Sequence, residues 1–231
     1  ANGLVSLEVG GGTPTMGTFA SIDWGDGPYY IQTQIDPEGA DSYTIEGTTE
    51  LISVPYALYA GNVKRGPFYV GLDTLGGVVF YVHTDAMGIQ RGLIVAIEDQ
   101  SSVTGANWSN ITNDVIGADA RNTWNGAANT MAIIAQSGHM SSAASLCDAY
   151  MGGGFDDWYL PSIDELSLLW QNRFEVHRTF QAKGYTNLGF ADYWSSTEIA
   201  MNLAWNFGFG SGDAIGSMKA NVLRVRAVRA F

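Results

Sequence analysis

The feature that most constrains the fold is an aromatic frame near the end of the chain, between Tyr193 and Phe231. Trp205, Phe207 and Phe209 alternate there with Asn206, Gly208 and Gly210. Successive side chains of a strand point to opposite faces. One face of this strand is therefore large and aromatic, suited to a core. The other is small and polar, suited to solvent or a ligand. Further on, Leu223, Val225 and Ala227 alternate with Arg224 and Arg226, and the pattern slips at Val228–Arg229, where a bulge is expected.

Such a frame needs a core to dock on. The 231 residues, 46% hydrophobic and 12% aromatic, are enough for one large domain or two smaller ones. With 29 glycines and only 15% charged residues, the composition suits a loop-rich β or α+β protein of the cell exterior better than a helical bundle. The net charge of −12 argues against nucleic acid as a partner, because phosphate binding rests on clustered Lys and Arg. It argues equally against docking on an anionic membrane, and no apolar run is long enough to insert in one.

Taken in order, residues 1–62 read as a β-rich module, with a linker to about residue 67. Leu4–Val9, Phe19–Trp24, Tyr29–Ile35, Ser42–Ile45 and Glu50–Val54 are the strand candidates, Tyr29–Ile35 the best of them. Gly25–Pro28 and Asp36–Gly39 are turns. A linker or short helix, residues 56–68, leads to a boundary at Lys64–Pro67. Residues 68–231 form the main domain. Gly76–Val82 and Leu93–Ile97 are buried strands joined as a hairpin, the second apolar on both sides and so central. Residues 99–125 form a long polar segment held down by Trp108 and Trp124. Ala127–Gln136 and Ser142–Tyr150 read as helices, the first with Ala128, Met131, Ile134 and Ala135 at helical spacing. Ser162 and Glu165 have capping-box spacing, opening a helix that runs to about Gln181 and stops at Gly184. Leu166, Leu169, Trp170 and Phe174 are its apolar stripe.

Candidate chemistry is sparse. His83, His139 and His177 lack ligand spacing and read as structural or surface residues. Cys147, the single cysteine, reads as a buried small hydrophobe. Asp156 and Asp157 offer hard oxygen ligands for Ca2+, with Asp99, Asp114 and Asp119 as further donors, but no EF-hand spacing supports a site. The preferred reading is that Asp156 and Asp157 cap backbone N–H groups, and no cofactor is expected. The hydroxyls of Ser195, Ser196 and Thr197 read as strand hydrogen-bonders without a nucleophile elbow. Glu198 reads as the buried partner of an arginine in the last strand, Arg226 above all. Trp158, Trp194, Glu198, Trp205, Phe209 and Arg226 are thus structural.

The words GGVVFYV, GLIVAIEDQS, GANWSN, AANTMAIIAQ, AASLCDAYMGGGFDDWYLPSIDEL, YWSSTE and RVRAVRAF occur in that order from about Gly76 to Phe231. In this the chain resembles the Lcl C-terminal domain family, named after a collagen-like bacterial adhesin. The resemblance implies an α+β, C-type-lectin-like fold, also similar to formylglycine-generating enzymes, with termini close together. Those enzymes work through reactive cysteines, and Cys147 alone does not supply a pair, so an enzyme is not expected. SIDWGDGPYYIQTQID and ELISVPYALYAGNV resemble a module found upstream of such domains. There it forms the second half of a β-sandwich, so the module would begin part-way through, at Ala1, with an edge covered by the main domain or a neighbouring subunit. A small complete β-meander is the other reading.

A subset of the family serves as variable proteins of diversity-generating retroelements, mutated at asparagine codons between fixed anchors. Ile199, Ala200, Leu203, Gly208, Gly210, Ser211, Asp213, Gly216, Ser217, Ala220, Val222 and Leu223 are all types reachable from an Asn codon by its first two bases. Met201 is not. With Met201, Asn206 and Ile215 these form the expected ligand surface, small or apolar and so fitted to a protein target. The resemblance thus implies a receptor-binding or adhesin protein, extracellular, on a cell surface or on a virion as a tail fibre, and assembled as a homotrimer. A glycan-binding adhesin and a structural fibre tip without a ligand are the alternatives.

Overall fold

A computed structural model describes residues 13, 16–18, 22, 28–39, 41–50 and 67–231. The chain divides into two units, Ala1–Arg65 and Gly66–Phe231. The expectations for Leu4–Val9, for most of Phe19–Pro28, for the strand beyond Glu50 and for the linker before Pro67 lie outside the described residues.

In the first unit β1 (Tyr30–Ile35) pairs antiparallel with β2 (Ile45–Glu50), in register from Tyr30 opposite Glu50 to Ile35 opposite Ile45. The candidate at 42–45 is thereby replaced by a strand that begins at Ile45 and spans the gap to Glu50. Gly47 sits opposite Thr33. The connection is shaped by Asp36, whose carboxylate accepts the backbone N–H groups of Glu38, Gly39 and Ser42.

The second unit begins with β3 (Asp73–Thr74), β4 (Gly77–Thr84) and β5 (Gln90–Ala96). The β3–β4 turn has Leu75 at φ +50° and Gly76 at φ +85°, the primed geometry that suits a tight hairpin. The next hairpin turns on Asp85, whose carboxylate accepts from Met87 and Ile89. A two-residue strand, β6 (Ala106–Asn107), follows, then helices α1 (Gly126–Ile134), α2 (Ala143–Asp148), α3 (Ile163–Gln171) and α4 (Arg173–Lys183). Strands β7 (Asp192–Ala200), β8 (Leu203–Gly208) and β9 (Ala214–Met218) form a three-stranded antiparallel sheet in that order. The chain ends in β10 (Val222–Leu223), paired with β6, and β11 (Val228–Ala230), which completes the four-stranded antiparallel sheet β11-β5-β4-β3. The architecture is mixed α and β: small antiparallel sheets and a few short helices.

The four-stranded sheet is buried on both faces, so its strands read as continuous apolar runs. Val78, Phe80 and Val95 pack with Leu166, Leu169, Phe180, Tyr193 and Phe207. Val79, Ile94 and Ala96 pack with Trp108, Ile133, Trp158 and Trp194. The slip at Val228–Arg229 now has its cause. Val225 and Ala227 belong to the second cluster and Val228 to the first, as the chain passes from the bridge at Arg224 to its pairing with Val95. The ends of the unit meet: Phe231 exchanges backbone hydrogen bonds with Gly92, and its ring lies 4.3 Å from that of Phe68.

Three expectations change. In α1 the buried stripe is Gly126, Asn129, Thr130 and Ile133, whereas Met131 is exposed. The polar members are acceptable inside because they are bonded: Asn129 donates to the Asn122 carbonyl, and Thr130 exchanges hydrogen bonds with the backbone of Leu160. The single helix from Ser162 is two, broken at Asn172, and the break carries Phe174 into solvent while Val176 and Phe180 turn inward. Trp124 is no anchor, being exposed; Trp108 is fully buried.

Candidate functional site

The site rests on β7, whose residues Tyr193–Glu198 are all buried. Trp194, Ser195, Thr197 and Glu198 are each tied down by a named bond. The Trp194 indole donates to the Ala106 carbonyl at 2.9 Å, and the Trp108 indole to the Ser195 carbonyl at 2.8 Å. Ser195 donates to the Trp205 carbonyl, fastening β7 to β8. Thr197 accepts from the Ile163 N–H, which opens α3, and donates to the Asn122 carbonyl. The hydroxyls are strand and cap fasteners, as their setting in the sequence suggests.

Glu198 is the centre of the frame, with a partner other than the expected arginine. Its carboxylate lies 2.7 Å from Lys219 Nζ and accepts the N–H groups of Ile116 and Gly117 at 2.9 and 2.8 Å. Both side chains of the pair are fully buried. Lys219 also donates to the Asp114 carbonyl and lies 4.6 Å over the Trp108 ring. Burial alone would raise the Glu198 pKa, but the Ile116 N–H, Lys219 and the Gly117 N–H outweigh it and hold the carboxyl below its ordinary value. Arg226 instead binds Asp99 at 2.7 Å, together with the Ala96 and Thr186 carbonyls. The correction follows from the path of the chain, because residues 224–227 run alongside the segment after β5, not alongside the end of β7.

Two of the other candidate carboxylates, Asp99 and Asp157, are committed in the same way. Asp99 takes Arg224 as well as Arg226. Asp157 holds Arg229 through both oxygens at 2.6 and 2.8 Å, replacing the expected backbone cap. Arg229 holds the Asp157 carboxyl below its usual range. Among the described residues no group of three or more His, Cys, Asp or Glu could hold a metal ion. Cys147 is fully buried, and burial, with Asp148 nearby, pushes its thiol pKa well up.

Around this frame lie the fifteen expected ligand residues. Met201, Gly210, Ser211, Asp213, Ile215, Gly216, Ala220 and Val222 are exposed. Ile199, Ala200, Leu203, Ser217 and Leu223 are half-buried. Asn206 and Gly208 are buried and are not offered to a ligand. β8 is the middle strand of its sheet and is covered on both sides, so the small polar face expected there is interior. Asn206 donates to the Ile215 carbonyl and the Ser217 hydroxyl, stitching β8 to β9. The aromatic side of the alternation does point inward, with Phe207 and Phe209 buried and Trp205 half-buried.

The exposed residues therefore sit on edge strand β9, on the turn at Met201, on the loop Gly210–Asp213 and on the approach to β10. Leu203 pairs with Met218 and Trp205 with Gly216, so these four share one face. Met218, more than half exposed, extends that face and was missed by the sequence reading. Only its register opposite Leu203 places it there, and register is a tertiary fact.

The family model described as the Lcl C-terminal domain matches residues 97–229, more than half of the chain. No curated protein matches the chain.

Proposed function

The chain belongs to the Lcl C-terminal domain family, and on that premise we propose that its second unit is a non-enzymatic, lectin-like scaffold that displays a variable surface to a protein target. One observation carries this reading. Within a single stretch, the frame residues are buried and individually bonded, while eight of the residues between them are exposed on an edge strand and its loops. Loops and edges on a rigid support are where specificity is altered without loss of the fold. The exposed Met201, Met218, Ile215 and Val222 favour a protein over a charged glycan as the target. Diversification by a retroelement accounts for the residue types between the frame positions that fit Asn-codon mutation; Met201 and Met218 do not fit it. The reading assigns the protein to the cell exterior or a virion, with the trimer expected of relatives. Among the described residues no helix is long and apolar enough to cross a membrane.

The test is made on the encoding DNA and its neighbourhood. The proposal expects a near-copy of the codons for residues 199–223 that carries adenine wherever the two differ, beside a reverse-transcriptase gene. Its differences should fall on the exposed positions and spare Trp205, Lys219 and Gly212. A neighbourhood without such a copy overturns diversification, and differences concentrated on the buried frame overturn the display surface itself.

A further inference from the structure

A groove of about 500 Å³ opens between the four-stranded sheet and α3, lined by no residue of the display surface. Its volume falls in the range of small-molecule sites, which combine apolar walls with a few polar groups. Tyr81, Leu93, Leu168 and Phe231 supply apolar walls, and Trp124 stands at its side. Trp124 is 77% exposed, although the backbone that carries it is fixed. Its own N–H donates to the Asn122 side chain, and the preceding carbonyl of Thr123 accepts from Asp164. An indole held in solvent on anchored backbone leaves apolar area uncovered that a ligand would bury.

Three polar groups line the same groove with bonding capacity unused among the described residues. Arg91 uses only its Nε, at 3.4 Å from Asp85. The His83 ring lies 5.5 Å from that of Tyr81 and its nitrogens have no hydrogen-bond partner. The Asp164 carboxylate is likewise without a partner; its backbone N–H alone is bonded. Glu165 also lines the groove, but its carboxylate is taken by the Tyr159 hydroxyl and the Ser162 N–H; of the three groups with capacity left, one is a cation, one an anion and one an imidazole, with no net preference for a charged ligand. They do give donors and acceptors together, which is what a hydroxyl, donor and acceptor at once, requires. We propose that this groove binds a neutral sugar residue, its C–H face stacked on Trp124 and its hydroxyls bonded to Asp164, Arg91 and His83.

The experiment uses the full chain and a panel of methyl glycosides of neutral hexoses and N-acetylhexosamines, with sialic acid and an apolar peptide as competitors, read by saturation-transfer NMR and by titration. The expected result is saturable binding of at least one neutral glycoside. Trp124→Ala and Asp164→Ala should each weaken it tenfold or more, and Met218→Ser, on the display surface, should leave it unchanged. If Trp124→Ala fails to fold, Asp164→Ala and Arg91→Gln decide. No neutral glycoside binding, binding indifferent to these substitutions, or binding of the peptide or sialic acid alone overturns the assignment. Loss of binding in Met218→Ser would move the sugar to the display surface and refute the groove, so this outcome is separate from the fate of the protein-display reading.

Discussion

At the residue scale the molecule depends on Glu198, which joins three segments distant in sequence: β7, the end of β9 through Lys219, and the loop at Ile116–Gly117. Two charges without solvent contact are tolerable only while each satisfies the other. Lys219→Met leaves the carboxylate with two N–H donors and only the half-exposed Arg121, 3.5 Å away, as a cation, and is expected to cost about 3 kcal/mol in a chemical-denaturation experiment. Replacing both partners, by Gln and Met, should cost less than the sum of the two single changes. The pair also sets a pH dependence. The folded-state pKa of Glu198 lies below the ordinary 4.5, so its contribution is complete above that value and is lost as pH falls through the lower, folded-state one. The melting temperature should therefore fall with acidification below about pH 4.5, and less steeply in Glu198→Gln. The sequence suggested a cation for Glu198, since a buried carboxylate must be paired or hydrogen-bonded. It did not show which one. Arg224, Arg226 and Arg229 at the end of the chain offered themselves before a lone lysine, and only the path of the chain past Asp99 and Asp157 removes them from contention.

At the element scale the informative contrast is between two glycines of one loop. Gly212 has φ +85°, and a Cβ there would lie 2.5 Å from the Trp170 ring. Gly210 has an ordinary φ and its nearest neighbour, Phe190, would stand at 3.8 Å. Gly212→Ala should lower stability by more than 1 kcal/mol, through strain at positive φ and a clash with a ring. Gly210→Ala should be within about 0.5 kcal/mol of the parent. Equal effects in thermal melting would count against the loop geometry. The hairpin of the four-stranded sheet, the capping box at Ser162 and Glu165 and the αL stop at Gly184 were all legible, because each is a local signal. The burial of Asn206 and the inward face of α1 were not. Both put polar side chains inside, and a pattern of polar and apolar residues cannot tell a solvated amide from one bonded to Ile215 or Asn122.

At the scale of the whole molecule the second unit is closed by its last residues. β11 pairs with β5, Val228 is in the core, Arg229 holds Asp157, and Phe231 packs on Phe68. Deleting residues 228–231 should abolish cooperative unfolding of this unit, seen as loss of the near-ultraviolet circular dichroism of its buried tryptophans. The account as a whole claims that one stretch carries both an intolerant frame and a tolerant surface. The most direct test randomises the eight exposed ligand positions, Met201, Gly210, Ser211, Asp213, Ile215, Gly216, Ala220 and Val222, and measures protease resistance of each displayed variant. A parallel library randomises Asn206, Gly208, Gly212 and Lys219. The prediction is that most members of the first library resist protease as the parent does and that the second collapses. Equal collapse of both would contradict the claim that this surface is free to vary.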